Sequence, residues 1–136
     1  MGSVGRRGFA PVGGVGRHVL VVEDDDATRA VLADALTGAG YRVRTAPDAR
    51  LGLAVLEYWR PDAIVLDAVT PGLDASVFRK VQRSLPGGVG VPVLLISATW
   101  VDRLEKLARD FAVDAWLSKP FGVDEFVAAV GSLTRR

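Results

Sequence analysis

The chain has 136 residues, 49% of them apolar, a formal net charge of +1 and no cysteine. That is about one domain's worth of core-forming sequence, and the lack of cysteine excludes disulfides, thiol catalysis and zinc–thiolate sites. Arg6, Arg7 and Arg17 lie in residues 1–17, leaving 14 basic against 16 acidic residues beyond them, a poor electrostatic match for a phosphate backbone.

Residues 1–17, "MGSVGRRGFAPVGGVGR", are glycine-rich, with no apolar period and no h-region. They read as a flexible tail and not as a secretory signal. "HVLVV" (18–22) predicts a strand, and it runs into four acids, Glu23, Asp24, Asp25 and Asp26. A helix follows over 27–39, with Val31, Leu32, Ala35, Leu36 and Ala39 on one face and Gly40 as its stop. "YRVRT" (41–45) alternates apolar and polar, the mark of an edge strand. "PDARLGLAVLEYW" (47–59) supplies the next helix, with Asp48 as its cap and Pro61 beyond it.

"DAIVLD" (62–67) lacks polar alternation, as a strand covered on both faces should. A helix over 74–85, capped by Asp74, ends before "PGGVG". "PVLLIS" (92–97) is the fourth strand, "VDRLEKLARDF" (101–111) is helical and "DAWLS" (114–118) is a short fifth strand. The last helix, 122–134, spaces Val123, Phe126, Val127, Val130 and Leu133 along one face. His18 reads as a surface residue at a strand start and Trp59 as packing at a helix end. For Trp100, just past the fourth strand, packing and contact with a partner both stay open.

Five strand–helix units predict an α/β fold, a doubly wound parallel sheet with helices on both faces. In such sheets ligands bind outside the carboxyl ends of the strands. Those ends carry Glu23 and Asp24, then Asp67, then Ser97, then Lys119; only the edge strand ends without a chemical side chain. Hard oxygen donors with neither His nor Cys nearby suit Mg²⁺, which takes one or two carboxylates plus waters and phosphate oxygens. A carboxylate beside such a metal and a lysine is a phosphoryl acceptor. With 14 arginines and only three lysines in the chain, a lysine at 119 points to a compact charge rather than a planar fork. Asp25 and Asp26 precede a helix and serve as capping acids.

The stretches "VVEDD" (21–25), "VLDAVTPGLD" (65–74), "PVLLISA" (92–98) and "WLSKPF" (116–121) together resemble the receiver domains of bacterial two-component response regulators, the CheY-like proteins. The resemblance spans 18 to about 134, and residues 18–136 are read as the receiver domain. It implies a flavodoxin-like sheet of strand order 2-1-3-4-5 with five helices. It implies Asp67 as phosphoacceptor and Glu23, Asp24, Asp67 and the backbone carbonyl of Val69 as ligands of Mg²⁺. Ser97 and Lys119 would contact the phosphoryl group, Ser97 and Trp116 would form the switch, and the bond preceding Pro120 would be cis.

The partners implied are a sensor histidine kinase or a histidine phosphotransfer protein. A downstream protein or second copy would dock on the face of the fourth helix, fifth strand and fifth helix. Neither nucleic acid nor membrane is a partner of the domain itself, and its place is the cytoplasm. Its turnover is limited to its own phosphorylation and dephosphorylation, so it is not an enzyme. The alternatives are a phosphorylation-independent interaction module of the same fold, or the receiver part of a longer regulator with an output domain. A Mg²⁺-dependent phosphohydrolase would need a second acid at position 69, where valine stands.

Four positions depart from the family pattern. Ala75 stands where glycine is usual. Ala112 replaces a glycine at a helix end that often needs φ > 0. Trp116 is bulkier than the usual Tyr or Phe. Val69 offers no polar atom to hold a hydrolytic water near Asp67.

Overall fold

The structure, a computed structural model, describes residues 16–69, 72, 74–98 and 101–135. Most of the expected tail (residues 1–15) and Trp100 lie outside the described residues. The elements are β1 (His18–Val22), α1 (Asp26–Gly38), β2 (Arg42–Ala46), α2 (Ala49–Val55) and β3 (Ala63–Asp67). They continue with α3 (Ala75–Gln82), β4 (Val93–Ser97), α4 (Val101–Asp110), β5 (Ala115–Ser118) and α5 (Val123–Thr134). All neighbouring strands pair in parallel, in the order β2-β1-β3-β4-β5, which is the 2-1-3-4-5 arrangement. No helix among the described residues is long and apolar enough to cross a membrane.

Side chains alternate across each strand, and this divides the core into two layers. Leu20, Val22, Ile64, Leu66, Val93 and Leu95 face α2, α3 and α4, where Leu53, Phe78 and Leu104 meet them. Val19, Val21, Val65, Leu94 and Ile96 face the opposite side and pack on Leu32, Leu36, Phe126 and Val130 of α1 and α5. Each fully buried Leu, Ile or Phe side chain contributes about 2 kcal/mol of transfer free energy. That burial holds a helix as short as α2, which propensity alone would not.

The helix starts follow their caps. Asp25 Oδ2 accepts from the Thr28 amide (2.8 Å) and hydroxyl (2.6 Å). Asp48 Oδ1 accepts from Leu51 N at 2.9 Å, and Asp74 Oδ1 from Val77 N at 2.9 Å and Ser76 Oγ at 2.6 Å. The ends depart further from expectation. Past Val55 the chain tightens into three-residue turns, Leu56 N to Leu53 O and Glu57 N to Ala54 O, so α2 stops short of Trp59. Beyond α3 the amides of Ser84 and Leu85 turn back to Val81 and Gln82. The buried Gln82 amide meanwhile binds the carbonyls of Gly88 and Val91, both at 3.0 Å. A Cβ on Gly88 would sit 2.2 Å from Gln82 O, so "PGGVG" is close backbone packing. Val31 and Val123, expected on buried faces, are half exposed.

The end of α4 carries a strained residue. Ala112 adopts φ 53°, the left-handed region its position called for. Its carbonyl is held by Arg79 Nη2 at 3.0 Å, while Arg79 Nη1 reaches Gln82 Oε1 at 3.1 Å. An L-residue there costs about 1 kcal/mol relative to glycine. Glycine in turn adds freedom to the unfolded chain. The Ala112→Gly variant should therefore be more stable by roughly 0.5–1 kcal/mol in denaturant titration; a loss of stability would contradict the conformation described.

Candidate functional site

Parallel registry brings the strand ends level: Val22 pairs with Leu66, Asp67 with Ile96, and Ser97 with Ser118. The residue after β1, Glu23, is fully buried, and its amide donates to Ala46 O at 3.0 Å, continuing the ladder. Asp67, the last residue of β3, is also buried. Lys119 follows β5, and its amide donates to Ser97 O at 2.8 Å, so the register of β4 and β5 sets where its side chain begins. The Lys119–Pro120 bond is cis.

From that start the Lys119 ammonium reaches both acids, donating to Glu23 Oε1 at 2.6 Å and to Asp67 Oδ2 at 2.7 Å. The other carboxylate oxygens take backbone donors: Glu23 Oε2 from Asp25 N at 3.1 Å, and Asp67 Oδ1 from Val69 N at 2.8 Å. Asp24 is exposed, yet it offers an oxygen that lies with those of Glu23 and Asp67 within 4.8 Å of one another. Five of the expected site residues are thus at one edge: Glu23, Asp24, Asp67 and Lys119 clustered together, with Ser97 buried at the neighbouring strand end.

Trp116 lies lower on β5, paired with Leu95 and half buried beside the α4-side core layer. It lines a groove of about 370 Å³ with Glu105, Ala108 and Arg109 of α4. Ser97 belongs to a different cleft, shared with Val69, Asp74, Arg103 and Phe111. Val69 is 73% exposed beside Asp67.

Burial pushes the Glu23 carboxyl up, and the bonds from Lys119 and the Asp25 amide do not fully offset it; the Asp67 charge adds to the rise. Burial works the other way on Lys119, but the hydrogen bonds and charges of Asp67 and Glu23 outweigh it, so the ammonium is held above its ordinary value. Thr28 holds Asp25 below the usual carboxylate range, and Ser76 does the same for Asp74, as capping requires.

Three carboxylates against one ammonium leave negative charge unbalanced. Two unit charges about 4 Å apart repel by ~4 kcal/mol at an effective dielectric constant near 20. A small divalent cation would remove that repulsion. The donors are all hard oxygens, in a set able to supply the one or two carboxylates a Mg²⁺ site uses, so the residues present fit the metal that the sequence suggested.

Two neighbours of the site escaped the sequence reading. Arg29 Nη1 donates to Glu23 O at 3.0 Å while Nη2 pairs with Asp26 at 2.6 Å, tying the first turn of α1 to the end of β1. The i, i+3 spacing of Asp26 and Arg29 was the available signal. Beside Lys119, a mainly apolar groove of about 360 Å³ is lined by Ala27, Thr28, Val31, Leu32, Pro120 and Phe121. Here the exposed Val31 is one wall of a surface feature.

Comparison with known proteins agrees with this geometry. The family pattern of the response regulator receiver domain matches residues 19–131. The chain is 39% identical over 123 residues to the transcriptional regulatory protein TcrA of Mycobacterium tuberculosis, covering 89% of this chain and 47% of TcrA. It is 38% identical over 119 residues to the KDP operon transcriptional regulatory protein KdpE of Escherichia coli, covering 88% and 52%. The chain thus spans about half the length of the curated relatives it matches. Among solved structures, the chemotaxis response regulator CheY4 of Vibrio cholerae superposes with a TM-score of 0.79 at 26% identity, covering 86% of this chain and 98% of that one. The receiver domain of the sensor histidine kinase PA1611 of Pseudomonas aeruginosa, solved with magnesium in its active-site cleft, gives 0.80 at 25% identity, covering 90% and 100%.

The raised Glu23 carboxyl fixes a pH dependence. The folded protein keeps that proton to higher pH than the unfolded chain, so folding binds protons and metal-free stability falls as pH rises. The fall begins near the ordinary value of 4.5 and ends at the raised one. Urea titrations in chelator should show this fall in the wild type and a flatter profile in Glu23→Gln over the same window. Identical slopes would contradict the raised carboxyl of the buried Glu23.

Proposed function

This chain belongs to the response regulator receiver domain family, and we propose from that premise that it is a phosphoacceptor switch with Asp67 as the acceptor. The observation that carries the reading is the Lys119 ammonium bridging Glu23 and Asp67, with Asp24 beside them. As a receiver domain it is a signalling module of two-component systems and not a classical enzyme. Its covalent chemistry is confined to its own phosphorylation and dephosphorylation.

The donor is a phosphohistidine on a sensor kinase or a phosphotransfer protein. An Asp67 carboxylate oxygen attacks phosphorus, the P–O bond forms as the P–N bond breaks, and the imidazole leaves with the electron pair and takes up a proton. Lys119, already within hydrogen-bond reach of Asp67, meets the phosphoryl oxygens as they arrive and balances their charge. Glu23, Asp24, Asp67 and the Val69 carbonyl would hold Mg²⁺, which supplies further charge neutralisation at the same oxygens. The apolar groove of Val31, Leu32 and Phe121 opens directly beside Lys119, and it suits a helix of the donor delivering its imidazole to Asp67.

After transfer the Ser97 hydroxyl bonds the phosphoryl group, and Trp116 follows it, shifting the population of two arrangements of the surface. The surface concerned is formed by α4, β5 and α5, with the groove beside Trp116 on its α4 side. A downstream protein or second copy reads it there, in the cytoplasm. The regulators that this chain resembles are about twice as long, so their activity as whole proteins is no part of this proposal. The rival reading, an interaction module that ignores phosphorylation, is disfavoured because acceptor, acids, hydroxyl and lysine are all retained.

With Mg²⁺ and a small-molecule phosphodonor the protein should gain one phosphoryl group, stable in acid and labile in base, visible by mass spectrometry. Asp67→Asn should gain none. An unmodified wild type, or an undiminished gain in the variant, would overturn the assignment. The Val69 side chain places no polar atom near the acyl phosphate, so Val69→Asn should shorten its half-life about tenfold, a barrier change of ~1.4 kcal/mol. Decay at the wild-type rate would remove water positioning as the limiting factor.

A further inference from the structure

The opposite corner of the molecule carries a basic, aromatic edge that the switch does not use. Among the described residues β2 is an outer strand of the sheet, paired with β1 on one side only. Its 42, 44 and 46 positions bond toward β1, as Arg42 N to Arg17 O and Glu23 N to Ala46 O show, so parallel geometry turns the backbone groups of Val43 and Thr45 outward. Arg42 and Arg44 are exposed on the face that α2 is too short to cover, while Val43 leans on the other layer. The Arg44 guanidinium lies over Trp59 (5.2 Å) and Tyr58 (5.7 Å), within cation–π range, so its charge is held in place at the edge. His18 stacks on Trp59 at 5.2 Å.

Charge selects among the occupants of this edge. A second copy pairing β2 with β2 would bring arginines together, the usual protection of an exposed edge. The chain's own first seventeen residues include Arg6 and Arg7 and no acid, so they offer the edge no opposite charge. Nucleic acid would need open ring faces for stacking, but Trp59 lies between His18 and Arg44. An acidic strand is attracted. Opposite charges facing each other across strands stabilise pairing, and the period of two then dictates the rest of its sequence.

We propose that the β2 edge, with Arg42 and Arg44 on one face and Val43 on the other, accepts an extended acidic–apolar–acidic segment of a partner protein as a sixth strand. The main chain of that segment bonds Val43 and Thr45, its acids meet the two guanidiniums, and its apolar residue packs beside Val43. The surface lies away from Asp67, so the proposal does not rest on phosphorylation.

The test is calorimetric titration of the full chain with a short synthetic peptide alternating Glu and Val. Comparison arms are the same peptide N-methylated at alternate amides, a Lys–Val analogue and a single-stranded oligonucleotide. Saturable binding of the Glu–Val peptide is expected, weakened about tenfold in Arg42→Gln/Arg44→Gln and abolished in Arg42→Glu/Arg44→Glu, each checked for folding by circular dichroism. N-methylation should remove binding, and Arg103→Glu on α4 should leave it unchanged. No binding, equal binding of the methylated peptide, or tighter binding of the oligonucleotide would overturn the proposal.

Discussion

Glu23 and Asp67 sit on neighbouring strand ends under almost no solvent, where two ionised carboxylates repel and each resents the loss of water. The ammonium of Lys119 holds them, at 2.6 Å and 2.7 Å, and it is delivered there by a third strand that contacts neither acid's own strand. Removing one member of such a cluster leaves the others buried and uncompensated, an outcome typically worth several kcal/mol. The site is therefore a reporter of the whole sheet: β1, β3, β4 and β5 must be in register for the three side chains to meet. Among the described residues its acids outnumber its cation, and that excess of negative charge is what makes the cluster consistent with a divalent-cation site.

The helices could have supplied positive charge to this edge, because α1 and α3 begin on it and a helix N-terminus carries partial positive charge. Their free amides are instead satisfied locally, by Asp25 and Asp74. Those acids are held in their ionised forms by the bonds they make. Arg29 is likewise committed, to Glu23 O and to Asp26. Among the described residues that leaves Lys119 as the cation in direct contact with the buried carboxylates.

Elements with a strong period or a chemical cap were legible from the sequence. β1 was read with the observed limits, and Asp48 and Asp74 were placed as caps because Asp followed by an apolar period has one favourable use at a helix start. The strand-end rule gathered Glu23, Asp24, Asp67, Ser97 and Lys119 before any coordinates. Helix ends were less legible. α3 stops where the buried Gln82 amide takes the carbonyls of Gly88 and Val91, a contact no periodicity announces. The exposure of Val31 and Val123 was misjudged because a helix of half-buried position shows the same spacing whether its outermost apolar residue meets a core or a groove. Arg29 was missed because its i, i+3 spacing from Asp26 signals only a surface ion pair, while its bond to the Glu23 carbonyl leaves no trace in the sequence. The glycine departure at Ala112 was legible, since the position rather than the residue demands φ > 0.

The partner of that departure fixes one end of α4. Arg79, most of it out of solvent, ties the Ala112 carbonyl to α3 and stands 3.9 Å from Asp114. Asp114 in turn accepts from Val93 N at 2.9 Å at the start of β4. The C-terminal end of α4 is thus fixed to α3 and to the far end of the sheet by polar bonds whose loss would strand a guanidinium that already has one buried, unpartnered nitrogen. The other end of α4 begins at Val101, a short step beyond Ser97 at the end of β4. The groove that α4 shares with Trp116 lies beside the anchored end, lined by Ala112, Val113 and Asp114 as well as by the helix. Translating the helix as a body would require breaking the arginine network first.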